Sequence, residues 1–150
     1  MRIPKSLDDN LIFQLGTVAR KVHQHVENVF RNESLDITPE QFSLLTILWY
    51  NEGISIKELA DRSQRDKTTI SRVVSNMIKH DLIRRLDNVD DKRAKRIFLT
   101  DKGRNLQDQL VMLSGEIYVQ ALGNLSDEEL DRTLEVFQKI ENNLSDNSES

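Results

Sequence analysis

Between Thr68 and Lys79 the chain sets polar residues around an apolar spine of Ile70, Val73, Val74, Met77 and Ile78. That spine has the spacing of one helical face. At about 100° per residue, Thr68, Arg72, Ser75, Asn76 and Lys79 fall on the opposite side. This arc offers hydroxyls, an amide and two cations, and no carboxylate. In a chain of net charge −4, a face that merely faces water should mix Glu and Asp with Lys and Arg. The arc suits hydrogen-bond acceptors instead, such as phosphate oxygens and base edges. A second basic cluster, Lys92, Arg93, Lys95 and Arg96, follows in a turn-rich segment. It has the charge to lie along a phosphate backbone or enter a minor groove. Thr68, Thr69, Ser71, Arg72, Ser75, Lys79, Lys92, Arg93 and Lys95 are therefore the candidate DNA contacts, and double-stranded DNA is the candidate partner.

Such residues need a frame, and the flanking sequence supplies one. Ser55 and Glu58 have the spacing of a capping box, with Ile54 and Leu59 placed for a hydrophobic staple. Ile56, Leu59 and Ala60 give the helix that follows an inner face. Ser63 to Asp66 is a polar break, and Asp66 suits the cap of the second helix. Two short helices joined in this way predict a helix-turn-helix whose second helix enters a major groove. Leu82–Leu86 and Lys95–Leu99 are rich in branched apolar residues and read as a hairpin around the segment 87–94.

The order of these elements resembles the MarR family of winged helix-turn-helix transcription regulators. The resemblance rests on Leu59-Ala60, Lys67-Thr68-Thr69-Ile70-Ser71-Arg72, Leu82-Ile83-Arg84-Arg85, Asp91-Lys92-Arg93 and Leu99-Thr100-x-x-Gly103. It covers most of the chain, and the wing and the Leu-Thr-x-x-Gly segment are its most specific parts. Asp81 departs from it, since the family often has Gly at the end of the recognition helix. Asp tolerates the left-handed conformation better than most residues. The resemblance implies a homodimer built from the terminal helices, a pseudo-palindromic operator, and an Asp91 that orients Arg93 in the wing. It also implies release of DNA on binding a small phenolic or anionic effector, at a site between the dimer helices and the winged domain.

The remaining segments are long helices. Asp8–Arg31 carries an apolar stripe through Leu11, Leu15, Val18, Val22, Val26 and Val29. Thr38-Pro39-Glu40-Gln41 opens a helix with a cap, a proline at the first position and a completed box. Phe42, Leu45, Leu48 and Trp49 face its inner side, and Gly53 caps its end. Thr100 starts a helix running to about Gly123. Ser126 and Glu129 box another, striped by Leu130, Leu134, Phe137, Ile140 and Leu144. The stripes exceed what a compact winged helix buries, so Leu11, Leu15, Leu130, Leu134 and Phe137 are the candidate dimer interface. The predicted fold is mainly α (α+β), a winged helix-turn-helix of about six helices with a two-stranded wing. Residues 38–100 would form the DNA-binding domain, and 1–37 with 101–150 the dimerisation helices.

Composition and charge agree. A chain of 150 residues with 37% hydrophobic residues suits one domain with an oligomerisation region. From Arg62 to Arg104 there are 13 Lys or Arg against 6 Asp or Glu, and elsewhere 8 against 19. The basic footprint is thus local, as a nucleic-acid surface requires. No run of apolar residues is long enough for a membrane span, the N-terminus lacks a signal-peptide core, and there is no cysteine. A cytoplasmic protein without disulfides follows as the expectation. His23 and His25, two apart on a helix, do not share a face and make a poor metal pair. Asp127-Glu128-Glu129 suits a helix N-terminus rather than a metal. Neither a catalytic motif nor a cofactor loop is present, so no cofactor, metal or enzymatic activity is expected. The alternative is a helical adaptor that keeps the fold without binding DNA. It calls for a mixed-charge second helix and a neutral wing, which this sequence lacks.

Overall fold

The computed structural model describes residues 3–87 and 95–146. Its elements run α1 (Leu11–Asn32), α2 (Pro39–Tyr50), α3 (Ile56–Ser63), α4 (Lys67–Lys79), β1 (Ile83–Asp87), β2 (Lys95–Leu99), α5 (Asp101–Asn105), α6 (Gln107–Leu122) and α7 (Asp127–Asp146). The backbone forms two compact units, Met1–Ile117 and Tyr118–Ser150. The first holds the helix-turn-helix, the hairpin and one hydrophobic core. Phe30, Leu45, Leu48, Leu59, Ile70, Val74, Met77, Ile97 and Leu110 are all buried there. The Phe30 and Phe42 rings meet edge-on, with centroids 5.6 Å apart, and join α1 to α2.

Helix starts follow local chemistry. Thr38 and Gln41 make a complete capping box at α2, and Ser55 and Glu58 make another at α3. Asp66 caps α4 and accepts the Thr69 backbone N–H at 2.8 Å. Each cap satisfies amide donors that the helix itself leaves without partners. Ser126 and Glu129 do the same for α7 in the second unit. α1 begins at Leu11, where its apolar stripe starts and three residues after the Asp8 start expected from the sequence, because Asn10 takes the cap.

Helix ends are less regular. α2 stops at an Asn51 cap, and Gly53 lies two residues further on with φ 78°. Its N–H donates to the Ile97 carbonyl, so Gly53 joins α2 to the wing rather than capping the helix. Gln64 takes the left-handed conformation after α3, and Asp81 takes it after α4 with φ 55°. Asp81 N–H reaches the Ile78 carbonyl and Leu82 N–H reaches that of Met77. This is the paired closure of a helix end that a left-handed residue permits. The helix expected from Thr100 to Gly123 is broken at Leu106 into α5 and α6. Counted together, those two pieces give the expected six helices.

β1 and β2 pair antiparallel from Ile83↔Leu99 to Asp87↔Lys95. An isolated bridge, Ile54↔Ile97, pairs the segment before α3 with the other side of β2. The architecture is a mainly helical winged helix-turn-helix.

Candidate nucleic-acid interface

α4 is seated on the core by buried Ile70, Val73, Val74 and Met77. Ile78, read as part of that face, is exposed instead. With four apolar side chains inward, Thr68, Arg72, Ser75, Asn76 and Lys79 are exposed together. Thr69 and Ser71 are half-buried at the margins. Two hydroxyl protons are already committed. Thr69 Oγ1 donates to Asp66 Oδ2 at 2.6 Å, and Ser75 Oγ donates to the Ser71 carbonyl at 2.8 Å. Both hydroxyls therefore meet a ligand as acceptors. The hydrogen bonds from the Thr69 hydroxyl and amide hold the Asp66 carboxyl below the usual aspartate range. The folded helix thus favours the ionised form of its own cap.

Beside this face lies an open groove of about 590 Å³, walled by Thr38, Glu40 and Gln41 of the α2 start and by Arg72, Ser75, Asn76 and Lys79. Gln41 is a buried polar side chain of the core. Its amide nitrogen donates to Asn76 Oδ1 at 2.6 Å, and its oxygen accepts the Thr38 N–H at 2.9 Å. Sequence reasoning read Gln41 only as a helix cap and left Asn76 out of the candidate contacts. The Asn76 position on the polar arc was the available signal for the second.

The wing is anchored from below. Arg96 donates to the Gly53 carbonyl at 3.1 Å and pairs with Glu58 at 3.4 Å. It belongs to the anchor of the wing, not to the basic tip where the sequence suggested it. Glu52 accepts the Leu99 N–H at 2.8 Å and both guanidinium nitrogens of Arg104, at 2.9 and 3.1 Å. These bonds, the Arg104 pair foremost, lower the Glu52 pKa against the opposing effect of burial. Lys95 pairs with Asp87 directly across the hairpin. Lys92, Arg93 and Asp91 lie outside the described residues.

The Leu-Thr-x-x-Gly segment now has a physical reading. Thr100 accepts the Gly103 N–H and donates to the Asp81 carbonyl, so it caps α5 and closes the end of α4 together. A Cβ at Gly103 would collide with the Leu82 carbonyl oxygen. Trp49 Nε1 donates to the Gly103 carbonyl at 3.2 Å from the other side.

Among the described residues there is no cluster of His, Cys, Asp and Glu fit to hold a metal, and no helix is long and apolar enough to cross a membrane.

Comparison with known proteins agrees with this geometry. The MarR family model matches residues 37–95. The regulator MgrA of Staphylococcus aureus is 30% identical over 136 residues, 90% of each chain. The regulator TtmR of Methylorubrum extorquens is 32% identical over 107 residues, 71% of this chain, which spans about half (54%) of that relative's length. Among solved structures, a mutant MarR from E. coli complexed with operator DNA superposes with a TM-score of 0.73. Its sequence is 25% identical, and the match covers 86% of this chain and 94% of that one. The chain belongs to the MarR family of winged helix-turn-helix transcriptional regulators. Its fold and relatives are those of a DNA-binding transcriptional regulator.

Proposed function

We propose that this chain is a cytoplasmic repressor that sits as a homodimer on a pseudo-palindromic operator and leaves it when a small effector binds. The observation that carries the DNA reading is the α4 surface, a carboxylate-free polar face turned outward by four buried apolar residues. In this reading Thr68, Thr69, Ser71, Arg72, Ser75 and Lys79 line the major groove. Arg72 is placed to meet a guanine edge with two parallel hydrogen bonds. Lys92, Arg93 and Lys95 serve the minor groove or its phosphates, with Asp91 orienting Arg93. Residues 38–100 act as the reading domain.

The dimer reading draws on exposed apolar side chains in both units. Leu11 is 56% exposed, Leu134 64% and Phe137 41%, with Leu15 and Leu130 half-buried beside them. The terminal segments 1–37 and 101–150 would bury these against a second copy and so fix the spacing of two α4 helices.

For the effector, an open groove of about 610 Å³ in the first unit brings Phe42, Trp49 and Tyr50 together with Arg62 and Ser114. Aromatic walls and one cation suit a phenolic or anionic molecule, and Arg62 sits in the last turn of α3, just before the turn that leads into α4. Fluorescence anisotropy with a duplex from upstream of the chain's own gene tests the whole reading. Nanomolar to micromolar binding, reversed by simple aromatic carboxylates such as salicylate, is the expected result. Failure to bind any duplex would favour the adaptor reading, and binding unaffected by aromatic acids would remove the effector part alone.

A further inference from the structure

We propose that Gln41 fixes the polarity of Asn76, so that α4 presents an amide donor to an acceptor on the DNA. The inference rests on the reading of α4 as the DNA-facing helix. A backbone N–H can only donate, so the Gln41 oxygen must face Thr38, 2.9 Å away. The Gln41 nitrogen then faces Asn76 and donates at 2.6 Å, which requires Asn76 to turn its oxygen inward. Gln41 is 4% exposed, in the core beneath the groove, whereas Asn76 is exposed. The Asn76 amide nitrogen, carrying two donors, is left as the outward edge.

An asparagine that reads adenine needs both its oxygen and its nitrogen on the base. Asn76 has its oxygen engaged below the surface, so this pairing is closed to it. Its outward donor calls for an acceptor, either a guanine N7 or O6, a thymine O4, or a phosphate oxygen. Arg72 and Lys79 on the same groove wall add positive charge around that acceptor. Gln41 touches no DNA in this arrangement and acts as a positioning residue.

The test exploits one isosteric change. Glutamate is the other residue used at this place in a capping box, so Gln41→Glu keeps the Thr38 bond. A carboxylate cannot donate, so Asn76 must rotate its nitrogen inward and show its oxygen to the groove. Wild type, Gln41→Glu, Asn76→Ala and Asn76→Asp are each allowed to select from a random duplex library, and the bound fractions are sequenced. Anisotropy on the selected duplexes gives the affinities, and circular dichroism melts establish that each variant folds.

If the partner is a base, Asn76→Ala loses its preference at one or two positions. Gln41→Glu shifts those positions toward bases with an exposed amine, cytosine or adenine. If the partner is a phosphate, all sequences weaken alike, by roughly five- to tenfold for Asn76→Ala, and Gln41→Glu weakens them at least as much. Either pattern supports the proposal. A folded Gln41→Glu with wild-type affinity and preferences, or an Asn76→Ala and Asn76→Asp pair that binds as wild type does, overturns it. Asn76 is exposed, so its variants keep the test open if Gln41→Glu unfolds. A wild type that enriches no sequence overturns the reading of α4 itself, which separates the two failures.

Discussion

Four side chains make separable demands on the molecule. Arg72 is exposed in the middle of the polar arc, whereas the proposed reading assigns Arg93 to the wing, so their losses should differ. Arg93→Ala should weaken specific and random duplexes alike and flatten the salt slope of binding by about one unit, as losing one phosphate contact does. Anisotropy at two salt concentrations measures both effects. Glu52 makes a different prediction, about acid. Its pKa is lowered in the fold by Arg104 and the Leu99 N–H. The stability it contributes is therefore complete above the ordinary glutamate value of about 4.3 and is lost as the pH falls through the lowered one. Glu52→Gln should melt lower than wild type at neutral pH, and the gap should close on acidification. Thermal melts from neutral to acidic pH check this, and a gap that widens in acid would reverse the sign. Asp81 stores strain in a left-handed backbone. Asp81→Gly should leave the protein as stable or gain up to roughly 1 kcal/mol, while a β-branched residue there should cost about as much or more.

At the scale of elements, the fold depends on where helices begin and how closely they approach. Gly103 lets α5 pass against Leu82 with no room for a methyl group. Gly103→Ala should cost about 1–3 kcal/mol through forced separation, read as a loss in denaturant midpoint. The wing should loosen with it, because the Thr100 N–H donates to the same Leu82 carbonyl. Much of this scale was legible in the sequence. Capping boxes work over three residues, so Thr38–Gln41, Ser55–Glu58 and Ser126–Glu129 could be read directly. The face of α4 was legible too, because helical spacing alone separates Val74 and Met77 from Arg72 and Ser75. What escaped depends on distant partners. Gln41 meets Asn76 thirty-five residues on, and Arg96 leaves the wing tip to meet Gly53 and Glu58. The break at Leu106 has no proline or glycine to announce it. Ile78 had the right spacing and the wrong outcome, since it falls at the edge of the buried stripe near the end of the helix.

For the whole molecule, charge and apolar surface are divided. The basic stretch Arg62–Arg104 lies inside a chain that is acidic elsewhere, so affinity should come from one surface and fall steeply with salt. The exposed stripe on α7 should be needed for pairing. Leu134 and Phe137 both changed to Asp should shift the light-scattering mass from two chains toward one at micromolar concentration. An unchanged dimer would move the interface to other residues. In the proposed dimer, sequence is read by the α4 helix of each copy. The most direct test titrates wild type and Arg72→Ala against the selected duplex and a scrambled one, by anisotropy at one salt concentration. Arg72→Ala should lose roughly 1–3 kcal/mol on the selected duplex and little on the scrambled one. Equal losses on the two duplexes would contradict the account, because Arg72 would then hold α4 to the DNA without reading it.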